Sequence, residues 1–282
     1  MAQTKRQIET LLAEAGSRPL HQFGQNFMID QNLVRLVADA GNIGPNDYVI
    51  EVGPGTGTLT EELLERAGKL IVVEIDRNLA AMLRQHLGEN PKFQLIEGDA
   101  LAGKHHLNAE LATVIQTATQ PVKLVANLPY NIASPLVIEM LMAGVQTLAF
   151  TVQKEVAERL GAKPGTSEYG PLTVMAQLLG KVEILRTLPP QAFWPAPKIE
   201  SSLVRIVRDD RLQESSRPFG RFVHALFSFR RKTLRRGLLE AGIDADAALA
   251  ASGFDGTRRA EEFSPAELLA LFKASIPRVP NA

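Results

Sequence analysis

The feature that most constrains this chain is a short apolar stretch that runs directly into three closely spaced glycines, in Glu51-Val-Gly-Pro-Gly-Thr-Gly57. Glycines at these positions let the backbone turn sharply and approach a ligand that lies across the start of the next helix. The spacing is G-x-G-x-G rather than the G-x-G-x-x-G of dinucleotide sites, and Pro54 lacks the N–H that a pyrophosphate would use. The segment therefore predicts a binding turn for a ligand other than a dinucleotide, with a purely structural glycine turn as the alternative.

Strand-like and helical patterns alternate through the first two thirds of the chain. The seven predicted strands are 49–53, 70–75, 93–97, 122–126, 147–152, 181–187 and 202–207. Strands that alternate with helices pair in parallel through right-handed crossovers and bind ligands at their carboxyl ends, as in doubly wound sheets. Four prolines between Thr187 and Ser202 leave no room for a crossover helix, so the last two strands are expected to pair antiparallel.

Helix signals divide the chain into two parts. Between the strands, helices are predicted at 59–67, 79–87 and 135–143, the last with Ser134 as its N-cap and Pro135 as its first residue. After residue 207 only helices are predicted, at 218–240, 246–251 and 265–273, and the capping box from Ser264 to Glu267 opens the last of them. We predict an α/β domain over residues 1–207 with a seven-stranded, mostly parallel sheet, and a small all-α domain over residues 208–282.

Composition excludes several kinds of site. The 31 basic and 31 acidic residues cancel, so attraction to a polyanion must come from local clusters of charge. The absence of cysteine excludes disulfides, thiolate-held zinc and iron–sulfur clusters, and the five histidines show no metal-ligand spacing. No apolar stretch reaches the roughly 18 uncharged residues of a membrane-spanning helix, and the N-terminus lacks an apolar signal segment. We expect a cytoplasmic protein without a metal.

Two carboxylates follow the second and third strands, at the predicted ligand edge of the sheet. Glu74 lies about 20 residues beyond the first glycine, where a ribose diol needs an acceptor. Asp76 is better explained as the N-cap of the next helix. Asp99 follows the third strand and suits the exocyclic amine of adenine. Because two carboxylates would repel a polyphosphate, the pattern favours a cationic nucleoside, and S-adenosylmethionine fits that description.

The fourth strand ends in Asn127-Leu128-Pro129-Tyr130. An adenine amine is a poor nucleophile because its lone pair is delocalised, so a transferase must hold both hydrogens and turn the lone pair toward the methyl group. Asn127 can accept one hydrogen through its side-chain oxygen, and a carbonyl near Pro129 can accept the other. Tyr130 would stack on the base. A turn that only ends the strand is the alternative explanation.

Several motifs follow one another along the chain. They are His21-Gln-Phe-Gly-Gln25-Asn-Phe27, the glycine turn, Asn127-Leu-Pro-Tyr-Asn-Ile-Ala-Ser-Pro135, Gln153-Lys-Glu-Val156, Tyr169-Gly-Pro-Leu-Thr173, Phe193-Trp-Pro-Ala-Pro-Lys198 and Phe229-Arg-Arg-Lys-Thr-Leu-Arg235. Together and in this order they resemble the KsgA/RsmA small-subunit rRNA adenine dimethyltransferases. The resemblance implies a Rossmann-like methyltransferase domain and a helical C-terminal domain. It also implies transfer of two methyl groups to each of two adjacent adenosines near the 3′ end of the small-subunit rRNA.

The resemblance also implies roles for individual residues. The family's cofactor contacts fall on Asn26, Met28, Gly53, Glu74, Asp99 and Asn127, beside the other two glycines of the turn, Gly55 and Gly57. Met28 stands where leucine is more usual. The family's target-base pocket falls on Asn127, Leu128, Pro129, Tyr130 and Phe193. We expect Phe193 to supply a second stacking face and Trp194 to pack as part of a stiff proline-rich link.

One stretch of the predicted C-terminal domain is strongly basic. From Arg217 to Arg236 it contains seven basic residues and no acidic one. Four of them lie beside the apolar stripe of the predicted helix and can reach phosphate, namely Arg231, Lys232, Arg235 and Arg236. Arg230 falls on the stripe, so either it is paired at the domain interface or the helix bends there. A solvated charged face is the alternative for the whole run.

We therefore interpret the chain as a monomeric S-adenosylmethionine-dependent dimethyltransferase whose partner is the small ribosomal subunit or its rRNA. One competing interpretation is a related drug-resistance methylase of the large-subunit rRNA, although those enzymes typically carry isoleucine where Leu128 stands. A DNA adenine methyltransferase would more usually have Pro-Pro after the acidic or Asn residue. A non-enzymatic assembly or transcription factor on the same fold is the remaining alternative, against which Glu74, Asp99 and Asn127 argue.

Overall fold

The computed structural model describes residues 3–19, 25–103 and 106–276. The chain divides into two compact units, the first comprising Met1–Ala157 and Val182–Arg208 and the second Glu158–Lys181 and Asp209–Ala282. The sequence assigned 158–181 to the first domain. In the structure this segment belongs to the second unit, because its apolar helix packs on two C-terminal helices.

The first unit contains the strands of the sheet and the helices between them. Its elements are α1 (Lys5–Glu14), β1 (Phe27–Met28), α2 (Gln31–Ala40), β2 (Tyr48–Val52), α3 (Thr58–Arg66), β3 (Lys69–Glu74), α4 (Arg77–Leu87), β4 (Phe93–Glu97), α5 (Ala109–Thr117), β5 (Val122–Asn127), α6 (Ala133–Met142) and β6 (Thr147–Gln153). Helix α7 (Lys154–Leu160) leads out of this unit, and α8 (Pro171–Leu179) lies in the second. The chain returns through β7 (Gly180–Leu188), β8 (Phe193–Trp194) and β9 (Ser201–Arg208).

The main sheet has seven strands in the order β4-β3-β2-β5-β6-β9-β7. The first five pair in parallel, and β9 pairs antiparallel with β6. This confirms the predicted seven-stranded, mostly parallel sheet, with strand ends within two residues of those predicted. The sequence did not predict the small antiparallel pair of β1 and β8, in which Met28 lies opposite Phe193.

The caps of two helices test the local sequence signals differently. Asp76 caps α4 as predicted, because its Oδ1 accepts from the N–H groups of Asn78 and Leu79. The predicted cap at Ser134 is wrong, since α6 begins at Ala133 after Ile132, which caps the helix without a side-chain hydrogen bond. Pro135 fits inside the first turn, where its missing N–H would have no helical partner.

The second unit is helical after β9, but its first predicted helix is two helices. Its remaining elements are α9 (Ser216–Ser228), α10 (Leu234–Glu240), α11 (Ala245–Ser252) and α12 (Pro265–Ser275). The predicted helix over 218–240 is wrong between Phe229 and Thr233, where α9 ends and Thr233 caps α10. The break gives the Arg230 guanidinium a carboxylate partner in Glu261 instead of burying its charge on the apolar stripe. The predicted capping box of Ser264 and Glu267 is present.

Helix α1 packs its apolar side onto the first unit. Ile8 and Leu12 are buried in a cluster with Phe27 and with Leu79 and Leu83 of α4. Thr4 and Gln7 form a capping box that starts the helix. Within the described residues, no helix has both the length and the apolarity that crossing a bilayer requires.

Candidate cofactor and base-binding site

A pocket opens at the carboxyl ends of β2 to β5 of the first unit, where a doubly wound sheet binds its ligands. Eight of the residues predicted for the site line it: Asn26, Met28, Gly53, Gly55, Glu74, Asp99, Asn127 and Pro129. Four others do not line it: Gly57, Leu128, Tyr130 and Phe193. Of the predicted motif from His21 to Phe27, residues His21 to Gly24 lie outside the described residues.

The glycine turn packs closely against two other segments of the pocket. Gly53 and Gly55 have φ of 72° and 61°, which side chains rarely tolerate. A Cβ on Gly53 would lie 3.0 Å from Cγ of Pro129, and a Cβ on Gly55 would lie 2.8 Å from the Phe27 ring. Only glycine therefore lets this turn contact both the Asn127 loop and β1. Gly57 has a different structural role: it is the N-cap of α3 and adopts a left-handed backbone conformation.

Glu74 is a buried carboxylate at the edge of the pocket. Its Oε2 accepts from the Gly55 N–H at 3.2 Å, and its Oε1 accepts from the Asp76 N–H at 2.9 Å. Burial raises the pKa of Glu74 to about 7, although both N–H groups favour the charged form. A carboxylate has four lone pairs, so the main-chain N–H groups leave capacity to accept from a ligand hydroxyl, as the predicted ribose contact requires.

The sequence interpretation assigned no role to Glu51, yet this residue also lines the pocket. It is 2% exposed, and the Thr60 hydroxyl donates to its Oε2 at 2.7 Å. Burial, with a smaller contribution from the charge of Glu74, raises the pKa of Glu51 to about 8. The carboxyl is therefore mostly protonated at neutral pH. The only sequence signal for Glu51 is its position at the start of the glycine motif.

The charges of the pocket favour a cationic ligand. Glu74 and Asp99 line it beside the mostly protonated Glu51, and none of the described lining residues is basic. Asp99 is exposed, and its Oδ1 accepts from the Leu101 N–H at 3.0 Å. Such a lining would repel a polyphosphate and suits a sulfonium nucleoside. In the part of the chain that the structure describes, no three His, Cys, Asp or Glu side chains come together as metal ligands would.

Both ends of the Asn127 side chain are held by hydrogen bonds. Its Nδ2 donates to the main-chain oxygen of Asn26 at 2.6 Å, and its Oδ1 accepts from the hydroxyl of Thr151. Thr151 is fully buried on β6, directly beside Asn127 in the parallel register. The sequence interpretation missed Thr151, because a single threonine inside an apolar strand carries no local signal.

The aromatic residues of the predicted base pocket differ in accessibility. Tyr130 is partly exposed, and its hydroxyl shares a 2.7 Å hydrogen bond with the Ser201 hydroxyl. Burial raises the pKa of the Tyr130 phenol, so it stays protonated. Phe193 departs from the expected stacking role, because its ring is 2% exposed within a core cluster that includes Met28 and Leu203. The side chain of Leu128 is also buried.

Trp194 and Gln3 each contact a residue that lines the pocket. Trp194 stacks on Phe27 with ring centroids 6.3 Å apart, in line with the packing role predicted for it. The side chain of Gln3 makes two hydrogen bonds with Thr56 in the glycine turn, from its Nε2 to the main-chain oxygen at 2.9 Å and from the threonine hydroxyl to its Oε1 at 2.6 Å. The segment before α1 is therefore tied to the turn, which the sequence did not indicate.

The basic segment of the second unit, residues 230–236, contains side chains in two conditions. Arg231 and Lys232 are exposed and have no ion pair among the described residues. Arg235 pairs with Asp246, and Arg236 pairs with Glu240 at 2.8 Å. Arg230 bonds Glu261 and also donates to the main-chain oxygens of Ser167 and Thr166, at 2.9 and 3.0 Å. This contact within the second unit answers the question that the sequence left open about Arg230.

Comparison with known proteins identifies the family. The family model described as ribosomal RNA adenine dimethylase matches residues 17–276. The chain belongs to this family. As a ribosomal RNA adenine dimethylase it is an S-adenosylmethionine-dependent methyltransferase, which confirms the resemblance and the cofactor predicted from the motifs.

Individual relatives of this ribosomal RNA adenine dimethylase cover nearly its whole length. Ribosomal RNA small subunit methyltransferase A of Magnetococcus marinus is 40% identical over 276 residues, 96% of each chain. The protein of that name from Clostridium perfringens is 38% identical, over 89% of this chain and 88% of its own.

Two solved structures share the fold. The 23S rRNA methyltransferase ErmE has a TM-score of 0.63 at 28% identity, over 89% of this chain and 99% of its own. A dimethyladenosine transferase from Plasmodium falciparum has a TM-score of 0.66 at 24% identity, over 86% of this chain and 95% of its own.

Proposed function

We propose that this protein dimethylates the exocyclic amines of two adjacent adenosines near the 3′ end of small-subunit rRNA. The observation that carries the proposal is the Asn127-Leu-Pro-Tyr130 loop packed against the glycine turn, beside a pocket lined with carboxylates. The relatives at 38–40% identity, which are named small subunit methyltransferases, support this substrate over the large-subunit rRNA.

The chemistry of each pocket residue suggests which part of the cofactor it would contact. When bound, S-adenosylmethionine supplies a methyl group made electrophilic by its sulfonium. Glu74 would accept from the ribose hydroxyls and Asp99 from the adenine amine of the cofactor. Gly53 and Gly55 leave room for the ligand along the turn, and Asn26, Met28 and Asn127 would complete the site. Burial raises the pKa of Glu74, and a cationic ligand bound nearby would lower it again by stabilising the ionised carboxylate.

The Asn127 loop would hold the target base. The Asn127 Oδ1 has a second lone pair beyond the one that Thr151 uses, and this pair would accept one hydrogen of the target amine. A carbonyl near Pro129 would accept the other, so the nitrogen lone pair turns away from the ring and toward the methyl group. Tyr130 would stack on the base. The buried ring of Phe193 leaves Tyr130 as the better candidate for stacking.

The second unit would supply affinity for rRNA. Arg231 and Lys232 are exposed and can meet phosphates directly, whereas Arg235 and Arg236 would first exchange a carboxylate for a phosphate. Exposed ion pairs are typically worth about 0–1 kcal/mol, so this exchange costs little. We further propose that the protein works as a monomer in the cytoplasm, on the assembling small subunit.

Transfer of tritiated methyl groups tests the function directly. The protein is incubated with labelled S-adenosylmethionine and, separately, undermethylated small subunits, large subunits or DNA, and the product nucleosides are then separated. We expect label as dimethyladenosine from the small subunits alone. Label in the large subunits would favour the drug-resistance reaction, which the likeness to the 23S rRNA methyltransferase makes the second candidate. Binding to small subunits without any label would favour a non-enzymatic assembly factor.

A further inference from the structure

The hydroxyl of Thr151 is a buried polar group that the proposed reaction does not use directly. Thr151 is 0% exposed and lies on β6, next to the strand that ends in Asn127. Its neighbours along β6 are Phe150 and Val152, which are also fully buried. A buried hydroxyl needs a hydrogen-bond partner, and in this structure the partner is Oδ1 of Asn127.

An asparagine amide can be turned by 180° with almost no change of shape, so its contacts decide which end carries the oxygen. The main-chain oxygen of Asn26 accepts from Nδ2, and the hydroxyl of Thr151 donates to Oδ1. Turning the amide over would set Oδ1 against the Asn26 oxygen, so that two acceptors would face each other. It would also remove the acceptor from the Thr151 hydroxyl. The two contacts together select one orientation.

We propose that Thr151 is a positioning residue that holds the carboxamide oxygen of Asn127 toward the target amine. The proposal rests on the proposed function, in which that oxygen accepts one of the amine hydrogens. Thr151 does not touch the substrate. It acts by occupying one lone pair of Oδ1 and so fixing the direction of the other, which lowers the cost of orienting the amide during methyl transfer.

Removal of the hydroxyl without loss of volume tests the proposal. Thr151→Val keeps the branched shape in a buried strand, and Thr151→Ser keeps the hydroxyl. Thr147→Val is the matched control, because it makes the same change four residues earlier on the same strand, and no hydrogen bond from its side chain to Asn127 exists in the structure. The assay is methyl transfer to undermethylated small subunits, with kcat and KM for S-adenosylmethionine measured separately.

We expect Thr151→Val to lower kcat about tenfold, the effect of losing one well-placed hydrogen bond, with little change in KM. Thr151→Ser should recover most of that loss, and Thr147→Val should behave as wild type. The proposal is wrong if Thr151→Val turns over at the wild-type rate. It is also wrong if Thr151→Ser is as slow as Thr151→Val, because the strand packing and not the hydroxyl would then matter. Thr151→Ala replaces the valine variant if the latter does not fold.

A second measurement does not depend on turnover. The side-chain NH₂ signals of Asn127, assigned by their loss in Asn127→Asp, should be sharp in the wild type and in Thr151→Ser and shifted or broadened in Thr151→Val. Unchanged signals in Thr151→Val would overturn the proposal. If the wild-type protein transfers no methyl group, the proposed function fails, whereas these signals still report whether Thr151 orients the amide.

Discussion

The pocket of the first unit and the basic segment of the second hold their polar side chains in opposite ways. In the pocket, Glu74 accepts from two main-chain N–H groups, Asn127 is bonded at both ends and Tyr130 bonds a buried serine. In the basic segment, Arg231 and Lys232 extend from the surface, and the partner of Arg235 is itself an exposed carboxylate. The first region is fixed before any ligand arrives, whereas the second, apart from the paired Arg230, is free to adapt.

This difference matches two physical tasks. Methyl transfer needs an acceptor set to within a fraction of an ångström, and fixed dipoles cost no reorganisation during the reaction. Attraction to phosphate depends on charge and on release of counterions, which tolerate loose geometry. Substitutions in the pocket should therefore act through single hydrogen bonds, and substitutions in the basic segment should act through the number of charges.

The largest effect is expected from Glu74→Ala. The change removes the acceptor proposed for the ribose and also leaves the Gly55 N–H without its partner, so the turn loses its support. Hydrogen bonds to charged groups are worth about 1.5–3 kcal/mol, which predicts roughly 10- to 150-fold weaker binding of S-adenosylmethionine by calorimetry.

Glu97→Ala is the matched control for Glu74→Ala. Glu97 lies opposite Glu74 in the register of β3 and β4, but it is exposed and pairs with Arg84. Its removal should leave the affinity for the cofactor unchanged. Binding by Glu74→Ala within about twofold of wild type would show that the ribose assignment is wrong.

Tyr130→Ala should separate catalysis from cofactor binding. Removal of a stacking face worth about 1–3 kcal/mol should slow methyl transfer by roughly 5- to 150-fold, while affinity for the cofactor changes little because Glu74 and the turn are intact. Tyr130→Phe keeps the ring and removes only the hydrogen bond to Ser201, so its rate of methyl transfer should lie between those of the wild type and Tyr130→Ala. Wild-type turnover of undermethylated subunits by Tyr130→Ala would remove this residue from the base pocket.

Salt dependence should divide the basic segment into its two pairs. The double change Arg231→Gln with Lys232→Gln removes two exposed charges. Each phosphate that is no longer neutralised should flatten the plot of log affinity against log salt by about 0.7–0.9. Arg235→Gln with Arg236→Gln should flatten it less, because these guanidiniums are already partly neutralised by Asp246 and Glu240. Replacing all four should reduce the slope by roughly 2–3.

Binding to small subunits at several salt concentrations measures that slope, with cofactor affinity as the control for folding. An unchanged slope in the fourfold variant would mean that the basic segment is only a solvated surface. A larger effect from Arg235 and Arg236 than from Arg231 and Lys232 would reverse the expected order of the two pairs.

The sequence predicted the parts of the molecule that local patterns encode. Alternating apolar segments located all seven strands of the main sheet, and the acidic N-cap signal of Asp76 located the start of α4. Gly53, Gly55, Glu74 and Asp99 line the pocket because the carboxyl ends of parallel strands meet at one edge, and their contacts with the cofactor stay predictions. Each of these follows from short-range chemistry or from the rule for parallel sheets.

The remaining features depend on contacts between distant segments. Thr151 and Asn127 are 24 residues apart, and Gln3 and Thr56 are 53 apart, so no window of sequence joins them. The unbroken helix over 218–240 was predicted because the apolar stripe continues through Arg230, whereas the actual break is stabilised by a partner at Glu261. The burial of Phe193 follows from its pairing with Met28 in a two-stranded sheet that is too short to predict.

The last effect, on stability and not on binding or turnover, is expected from Glu51→Gln, and it depends on pH. The folded-state pKa of Glu51 is raised from 4.5 to about 8, so between these values the folded protein binds more protons than the unfolded chain. Stability should therefore fall as pH rises through this range, and the decrease should be complete above about 8.

Glutamine cannot ionise, and its side-chain oxygen can still accept from Thr60. The cofactor-free variant should consequently melt at nearly the wild-type temperature at pH 5 and above it at pH 9, by about 2–4 °C for each kcal/mol recovered. Thermal unfolding at the two pH values measures the difference. An equal difference in Tm at both would show that the pKa of Glu51 does not lie between these two pH values.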